Sequence, residues 1–146
     1  MKHFLLAIVA LLAIGFAALE RVQALDGSRR VVCGTNERNE IWCTNYEGME
    51  HGGWERLPGS LKQVLVRDGR LWGVNASGEI YYADDFRNSN WVRLDGSAKE
   101  ISEGHGLLCI VNNKDEVWCA DKGITTPHPE WRKAPDGASL HFVSVN

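Results

Sequence analysis

Three familiar catalytic motifs are missing from the sequence. The GxSxG nucleophile elbow, the HExxH zinc motif and the P-loop are all absent from its 146 residues. No set of acid, base and nucleophile takes their place. The sequence therefore predicts a protein that binds a partner and does not catalyse a reaction, and no metal or cofactor is expected.

The sequence also lacks an amphipathic helical pattern and an excess of positive charge. Beyond the apolar N-terminus, no window repeats its apolar residues at helical spacing, which argues against a helical fold. The 16 basic and 19 acidic residues give a net charge of −3. This charge gives no reason to expect nucleic acid or an anionic membrane as a partner.

The one long apolar run is short for a membrane span. It reads FLLAIVALLAIGFAAL at 4–19, whereas a transmembrane helix needs about 20 residues. It follows the basic start Met1-Lys2-His3 and precedes VQA at 22–24, which suits signal peptidase. We predict a secretory signal peptide over 1–24 and a secreted, extracellular chain of 25–146 with a net charge of −4. The alternative, an uncleaved anchor, is weaker because no basic stop-transfer cluster follows.

Cysteine is scarce but regularly placed. The four cysteines lie in VCGTNERNEIWC (32–43) and CIVNNKDEVWC (109–119), ten positions apart in each. The layout recurs in WGVNASGEIYY (72–82), where Trp72 and Tyr82 take the cysteine positions. An even cysteine set in a secreted chain favours disulfides. Zinc binding is the alternative, but this separation fits no CxxC knuckle.

The three stretches belong to a longer repeat. Trp54, Trp91 and Trp131 lie 37 and 40 residues apart, and similar segments surround each of them. A period near 38 with four short apolar segments is typical of a propeller blade or a solenoid unit. The absence of helical pattern favours the propeller. The predicted units are about 30–57, 58–94 and 95–134, followed by an extra inner strand at 138–146.

The repeat also selects the disulfide pairing. If each stretch forms a hairpin centred on its polar turn, its two cysteines face each other across the strands. In the middle stretch, Trp72 and Tyr82 face each other in the same way. Opposed side chains at a close antiparallel site can form either a disulfide or a stabilising aromatic pair. We therefore predict Cys33–Cys43 and Cys109–Cys119, each worth on the order of 2–3 kcal/mol.

The middle unit resembles a known family. Its pattern W-x-x-L-P-G-S-L-K-Q-V-x-V followed by L-W-G-V-N-x-x-x-x-I-Y-Y resembles the tectonin repeat of fish-egg lectins and of a horseshoe-crab lectin that binds lipopolysaccharide. The resemblance covers nearly all of 32–145, and the cysteine pairs depart from the commonest repeat. It implies an all-β fold, a six-bladed β-propeller, and non-catalytic binding of N-acetylglucosamine-containing glycans or bacterial surface polysaccharide.

Three units are half of the six-bladed ring that the resemblance implies. They cannot close a ring alone, because propellers typically have 4–8 blades. In the first unit, the position of the inner strand falls inside the predicted signal peptide. LHFVSV at 140–145 is an inner strand without a unit. Either the sequence is part of a longer propeller, or two chains pair as a homodimer that completes a six-bladed ring.

The candidate ligand-binding residues are those that recur at a fixed phase. Trp54, Trp91 and Trp131 either pack between blades or stack on a sugar ring in a groove between them. Trp42 and Trp118 each stand one residue before the second cysteine of a hairpin and are predicted to be core between blades. Asn36, Asn75 and Asn112 begin the hairpin turns and are candidate ligand contacts, although turn chemistry alone explains them.

Other polar residues receive ordinary interpretations. Asn75-Ala76-Ser77 is an N-glycosylation sequon in a tight turn, which is a poor acceptor. Asp84-Asp85 is the one candidate for Ca²⁺, and adjacent carboxylates at a strand end more often form a turn. The histidines occupy unrelated points of the repeat and are expected to be solvated: His51, His105, His128 and His141. The predicted function is thus a secreted lectin; the alternative is a secreted protein-interaction propeller without a sugar site.

Overall fold

The computed structural model describes residues 30–47, 53–121, 127–136 and 143. The predicted signal peptide and nearly all of the predicted inner strand at 138–146 lie outside these ranges. Within them, no helix is long and apolar enough to cross a membrane.

The described chain forms three antiparallel sheets, each built from strands that are consecutive in sequence, which confirms the all-β prediction. We call them blades 1, 2 and 3. Blade 1 contains β1 (Val31–Thr35), β2 (Ile41–Asn45) and β3 (Glu55–Leu57). Blade 2 contains β4 (Gln63–Arg67), β5 (Arg70–Val74), β6 (Glu79–Ala83) and β7 (Val92–Ser97). Blade 3 contains β8 (Glu100–Gly104), β9 (Leu107–Val111), β10 (Val117–Asp121) and β11 (Arg132–Lys133).

The central hairpin of each blade has the register that the repeat predicts. Cys33 lies opposite Cys43 in blade 1, and Cys109 lies opposite Cys119 in blade 3. Both pairs are disulfides with Cα atoms 4.1 Å apart. This distance is near the roughly 4.5 Å of the close, non-hydrogen-bonded antiparallel site.

The apolar core lies between the blades rather than within any one of them. Alternate residues of a strand point to opposite faces, so each blade has a front face toward the next blade and a back face toward the previous one. The core between blades 1 and 2 contains Ile41, Cys43, Leu57, Leu61, Leu71, Ala83 and Phe86. The core between blades 2 and 3 contains Trp72, Val74, Ile80, Tyr82, Leu94, Ala98, Ile101, Leu108 and Ile110.

Polar contacts between blades fix their spacing. The Gln63 amide donates to the Ile101 carbonyl at 2.8 Å and accepts from the Ile101 N–H at 3.0 Å. It therefore occupies main-chain groups of β8, which is an edge strand of its sheet. Between blades 1 and 2, the Thr35 hydroxyl donates to the Lys62 carbonyl at 2.8 Å. These bonds satisfy an edge that would otherwise be open to pairing with another chain.

Candidate functional site

The turn of each central hairpin is held by its first residue, an asparagine. The Asn75 side-chain oxygen accepts from the Ser77 N–H at 3.1 Å and the Glu79 N–H at 2.9 Å. Asn36 and Asn112 accept from the matching N–H groups at 3.0 Å in their own turns. This is the Asx-turn chemistry that favours asparagine here.

The side-chain nitrogen of each asparagine is also bonded, and its acceptor is a glutamate. Asn36 donates to Glu40 at 2.7 Å, and Asn112 donates to Glu116 at 2.8 Å. Asn75 donates to Glu79 at 3.1 Å. The asparagines therefore position a carboxylate at the end of every hairpin, and their amides have little left to offer a ligand directly.

An aromatic side chain follows each glutamate by two residues, on the same face of the strand. The Tyr81 hydroxyl donates to Glu79 at 2.5 Å, and the Trp118 indole N–H donates to Glu116 at 3.4 Å. Trp42 holds the same position beside Glu40 in blade 1. All three rings are half-buried.

A cation on the outer strand lies directly across from each aromatic residue. Arg56 faces Trp42, Arg93 faces Tyr81, and Lys133 faces Trp118. The Lys133 ammonium is 3.1 Å from Glu116, and the Arg56 guanidinium is 3.5 Å from Glu40. We call each set of three a polar cluster. The three polar clusters are Glu40/Trp42/Arg56, Glu79/Tyr81/Arg93 and Glu116/Trp118/Lys133.

These contacts keep the glutamates ionised. The bond from Asn112, and then that from Lys133, lower the pKa of Glu116 to about 2. The bond from Tyr81, and then that from Asn75, lower the pKa of Glu79. The Asn36 bond lowers the pKa of Glu40. Each polar cluster thus presents a fixed carboxylate, a half-exposed ring and a cation, a set that can bind hydroxyl groups through both acceptors and donors.

Each repeat tryptophan directly precedes the outer strand of its blade and lies two residues before the cation of the polar cluster. The Trp91 indole N–H donates to the Pro58 carbonyl of blade 1 at 2.8 Å. The Trp131 N–H donates to the Asp95 carbonyl of blade 2 at 2.7 Å. Both rings pack against the core between the blades that they join. Trp54 is 50% exposed.

A glycine makes room for each of the two joining rings. A Cβ at Gly59 would approach the Trp91 Nε1 to 2.9 Å, and a Cβ at Gly96 would approach the Trp131 Nε1 to 3.1 Å. Both glycines have positive φ, 106° and 113°, a region that side chains disfavour. The Leu-Pro-Gly and Leu-Asp-Gly sequences thus form the receiving half of the contact between blades.

Two predictions of core position need adjustment. Trp42 and Trp118 were predicted to be buried between blades, and the structure leaves both half-buried. Trp118 packs against the core between blades 2 and 3, but the ring edge also reaches Glu116. Trp118 therefore borders the groove between blades 2 and 3 instead of filling it, whereas no described blade precedes Trp42.

The remaining candidates lie away from the polar clusters. Asp85 caps the short 3-10 helix Phe86–Asn88 and pairs with Arg87, while the Asp84 carboxylate accepts from Tyr82 at 2.5 Å. Among the described residues, no group of three or more His, Cys, Asp or Glu side chains could hold a metal ion. His128 is exposed and lies 2.6 Å from Asp95. His105 is an exposed turn residue with φ of 44°.

The cations are the members of the polar clusters that sequence reasoning missed. Each follows a repeat tryptophan by two positions, in Trp-Glu-Arg, Trp-Val-Arg and Trp-Arg-Lys. The glutamates also recur, four residues after each turn asparagine. Both signals are visible in the repeat, but only the cross-strand register brings them together.

This arrangement of meandering sheets packed face to face is that of β-propeller blades, and the solved structures that it resembles include β-propeller proteins. Human WBSCR16 aligns with a TM-score of 0.51 and 11% identity over 70% of this chain and 35% of its own. The Nup159 N-terminal domain aligns with a TM-score of 0.47 and 11% identity, over 66% of this chain and 26% of its own. YCF48 bound to D1 peptide aligns with a TM-score of 0.44 and 17% identity, over 76% of this chain and 41% of its own. The chain thus spans between about a quarter and two fifths of these structures.

A match to a sequence family classifies the chain more specifically than the fold does. The Tectonin domain matches residues 13–146, and the chain belongs to this family. A search of the curated proteins found no match. Tectonin and β-propeller domains are typically non-catalytic modules that bind or hold a partner, and the two disulfides are typical of an extracellular or secreted protein.

Proposed function

We propose that this protein is a secreted lectin that binds glycans or bacterial surface polysaccharide through its polar clusters. The observation that carries the proposal is the recurrence of one chemical set in all three blades. A carboxylate, an aromatic ring and a cation stand on the back face of each blade, next to a repeat tryptophan.

The chemistry of the set suits a sugar. The apolar face of a pyranose packs on a half-exposed aromatic ring, and its hydroxyls bond to fixed acceptors and donors. In blade 2, Glu79 is held by Asn75 and Tyr81, so it is preorganised before a ligand arrives. Preorganisation reduces the entropy lost on binding.

The three polar clusters favour a repeating ligand. They come from equivalent positions of equivalent blades, so neighbouring units of a polysaccharide could engage more than one of them. Linked engagement raises avidity well above the affinity of a single site. Within this proposal the three blades form half of a six-bladed ring, which a second copy of the chain completes as a homodimer.

The test is a glycan array with the secreted protein, followed by titration calorimetry with the best ligand. We expect Arg93→Ala and Tyr81→Ala each to weaken binding by about 10-fold or more, because each removes a contact of the blade 2 cluster. Arg87→Ala is the matched control, since it removes an exposed arginine from the same blade outside the polar clusters. Its affinity is expected to stay within about two-fold.

Two outcomes would reject the proposal. One is an array without any specific glycan. The other is a glycan whose affinity is unchanged by Arg93→Ala and by the equivalent Lys133→Ala and Arg56→Ala. An array without any specific glycan would indicate a propeller module that binds a partner of another kind.

A further inference from the structure

The disulfides of blades 1 and 3 occupy the same position of the fold but have different neighbours across their sheets. Residues that are directly opposite in an antiparallel pair point to the same face. Each disulfide is therefore part of a row of side chains on the front face of its blade, which we call the front row. The front rows are Cys33/Cys43/Glu55 in blade 1, Leu65/Trp72/Tyr82/Val92 in blade 2 and Ser102/Cys109/Cys119/Arg132 in blade 3.

The outer neighbours of the two disulfides carry opposite charges. Arg132 lies directly across from Cys119 in blade 3, whereas Glu55 lies directly across from Cys43 in blade 1. Directly opposed side chains have Cβ atoms about 4.5–5.5 Å apart. At this separation a cation favours a thiolate and a carboxylate disfavours it. The blade 3 disulfide, in contrast to that of blade 1, therefore has a neighbour that attracts an attacking thiolate.

The other charged residues on the front face of blade 3 lie outside the front row. Asp121 lies two residues after Cys119 on β10, and Glu100 lies two residues before Ser102 on β8. Arg132 is the charged member of the row itself. On the inner side the row ends at Ser102, whose hydroxyl can donate a hydrogen bond to a sulfur anion. One disulfide thus lies between a cation and a hydroxyl donor.

The two sulfurs of the blade 3 disulfide also differ in exposure. Cys109 is 2% exposed, Cys119 is half-buried and Arg132 is exposed. A thiolate attacks a disulfide sulfur in line with the bond that breaks. It therefore reaches Cys119 from the side away from Cys109, which is the side of Arg132. In blade 1 the matching sulfur, that of Cys43, is 0% exposed, and the matching side is that of Glu55.

Attack on the other sulfur of blade 1 is disfavoured for a different reason. Cys33 is half-buried and packs against the core between blades 1 and 2. Attack on Cys33 expels Cys43 as a thiolate, and Cys43 lies inside the same core and opposite Glu55. Burial among apolar groups and a neighbouring carboxylate both disfavour that anion. The Cys33–Cys43 disulfide is therefore expected to resist exchange.

We propose that Cys109–Cys119 is a thiol-exchange site, at which a small thiol of the glutathione class forms a mixed disulfide with Cys119. The incoming thiolate forms a bond to the Cys119 sulfur, and the Cys109–Cys119 bond breaks. The electron pair goes to the Cys109 sulfur, which takes up a proton from water. The small thiol is oxidised to the mixed disulfide while Cys109 is reduced to a thiol, so the exchange needs no further oxidant.

The exchange is reversible within the same hairpin. Cys109 stays opposite Cys119 on the paired strands, so its thiolate can expel the small thiol and close the disulfide again. The hairpin of blade 2 has the same register with Trp72 and Tyr82 and no covalent link, so strand pairing is expected to survive in the open form. The site lies on the front face and the polar clusters lie on the back face. The inference therefore does not rest on the glycan proposal.

The first test is partial exchange of the secreted protein with reduced glutathione at neutral pH. The reaction is quenched with acid, free thiols are alkylated with N-ethylmaleimide, and peptides are identified by mass spectrometry. We expect glutathione on Cys119 and the maleimide on Cys109, formed about 10-fold or more faster than any product at Cys33 or Cys43. The blade 1 disulfide is an internal control, because global unfolding would expose both disulfides.

The second test changes the cation of the front row. Arg132→Glu is expected to slow exchange at Cys119 by about 10-fold or more, because the reversed charge repels the thiolate. Arg132→Lys retains the charge and is expected to stay within about three-fold of the wild-type rate. Lys114→Glu is the matched control, since it makes the same charge change at an exposed hairpin tip of the same blade. Its rate is expected to stay within about two-fold of wild type.

The two tests have clear opposing outcomes. Equal exchange at the two disulfides, or faster exchange at Cys33–Cys43, would overturn the inference. So would glutathione carried by Cys109 alone, an unchanged rate in Arg132→Glu, or an equal loss of rate in Lys114→Glu. Neither test uses a glycan, so a failure of the lectin proposal would leave both results unaffected.

Discussion

Trp72 and Tyr82 lie directly opposite each other in blade 2, with ring centroids 5.8 Å apart and ring planes inclined by 41°. Blades 1 and 3 carry a disulfide at the same two positions. One hairpin geometry thus accepts either a covalent link or an aromatic pair.

An exchange between the two types of pair tests this equivalence. In blade 3, the double change Cys109→Trp and Cys119→Tyr is expected to retain more stability than the change of both to Ala, which loses about 2–3 kcal/mol of cross-link stabilisation without a replacement contact. Cys119 is half-buried, and Cys109, although only 2% exposed, belongs to neither of the two cores between the described blades. The measurement is the free energy of unfolding in urea.

The same exchange in blade 1 serves as the contrast. Cys43 is completely buried in the core between blades 1 and 2, so an added ring overpacks that core at a cost of about 1–3 kcal/mol. Equal stability of the two Trp/Tyr variants would contradict this account.

Two equivalent glycines are expected to respond differently to alanine. Gly73→Ala places a methyl group 2.9 Å from the Gln63 carbonyl oxygen and 2.3 Å from Leu61, and we expect it to destabilise the protein by about 1–3 kcal/mol. Gly34→Ala meets no described residue within 4 Å and is expected to be neutral or to stabilise by up to about 1 kcal/mol. Thermal unfolding of the two variants side by side provides the comparison. A similar loss in both would mean that the back face of blade 1 is covered.

The ionised state of Glu116 predicts an acid-dependent contribution to stability. Its hydrogen bonds to Asn112 and Lys133 lower its pKa from 4.5 to about 2. Because the folded pKa is the lower one, the contribution is complete above the unfolded value and is lost as pH falls from about 4.5 to about 2. The Tm difference between wild type and Glu116→Gln is therefore expected to be largest above about pH 5 and to vanish near pH 2. A difference that is constant over this range would contradict the assignment.

Lys133→Met isolates the second cause of that shift. It leaves the Asn112 bond in place and removes the ammonium, so the pKa of Glu116 is expected to lie between the wild-type value and the usual one. The pH window of the Tm difference should narrow accordingly, as differential scanning calorimetry between pH 2 and pH 7 would show.

The sequon at Asn75 is expected to remain without a glycan. Its side-chain nitrogen, the atom that would be modified, donates to Glu79, and its oxygen accepts two backbone N–H groups of the turn. Glycosylation would have to break this turn or precede its formation. Intact-mass analysis of protein secreted from eukaryotic cells is expected to show no N-glycan. A mass shift abolished by Asn75→Gln would disprove the expectation.

The hairpins were the most predictable part of the fold. Cysteine spacing and its replacement by Trp72 and Tyr82 define the centre of each turn, and the centre defines the register. The all-β blades follow from the same repeat. Which face of Trp42 or Trp118 would be covered could not be predicted, because burial depends on the neighbouring blade and not on the strand's own pattern.

The polar clusters were only partly predictable. The turn asparagines and the repeat tryptophans stand out because they recur, and the structure assigns the asparagine side chains to the turns. Arg56, Arg93 and Lys133 recur as well, but surface cations are common and carry no signal alone. Only the pairing of β3, β7 and β11 with their neighbours brings each cation opposite an aromatic ring and close to a glutamate.

The asparagine-capped turns do not depend on the side chains at their tips. Each turn is closed by its asparagine and glutamate, while the two tip residues contribute only backbone N–H groups that any amino acid except proline supplies. The tips are exposed pairs: Glu37-Arg38, Ala76-Ser77 and Asn113-Lys114. A combinatorial library at these three pairs would vary the surface without touching a disulfide, a joining tryptophan or the core. The blade array is in this sense a ready scaffold for engineered recognition.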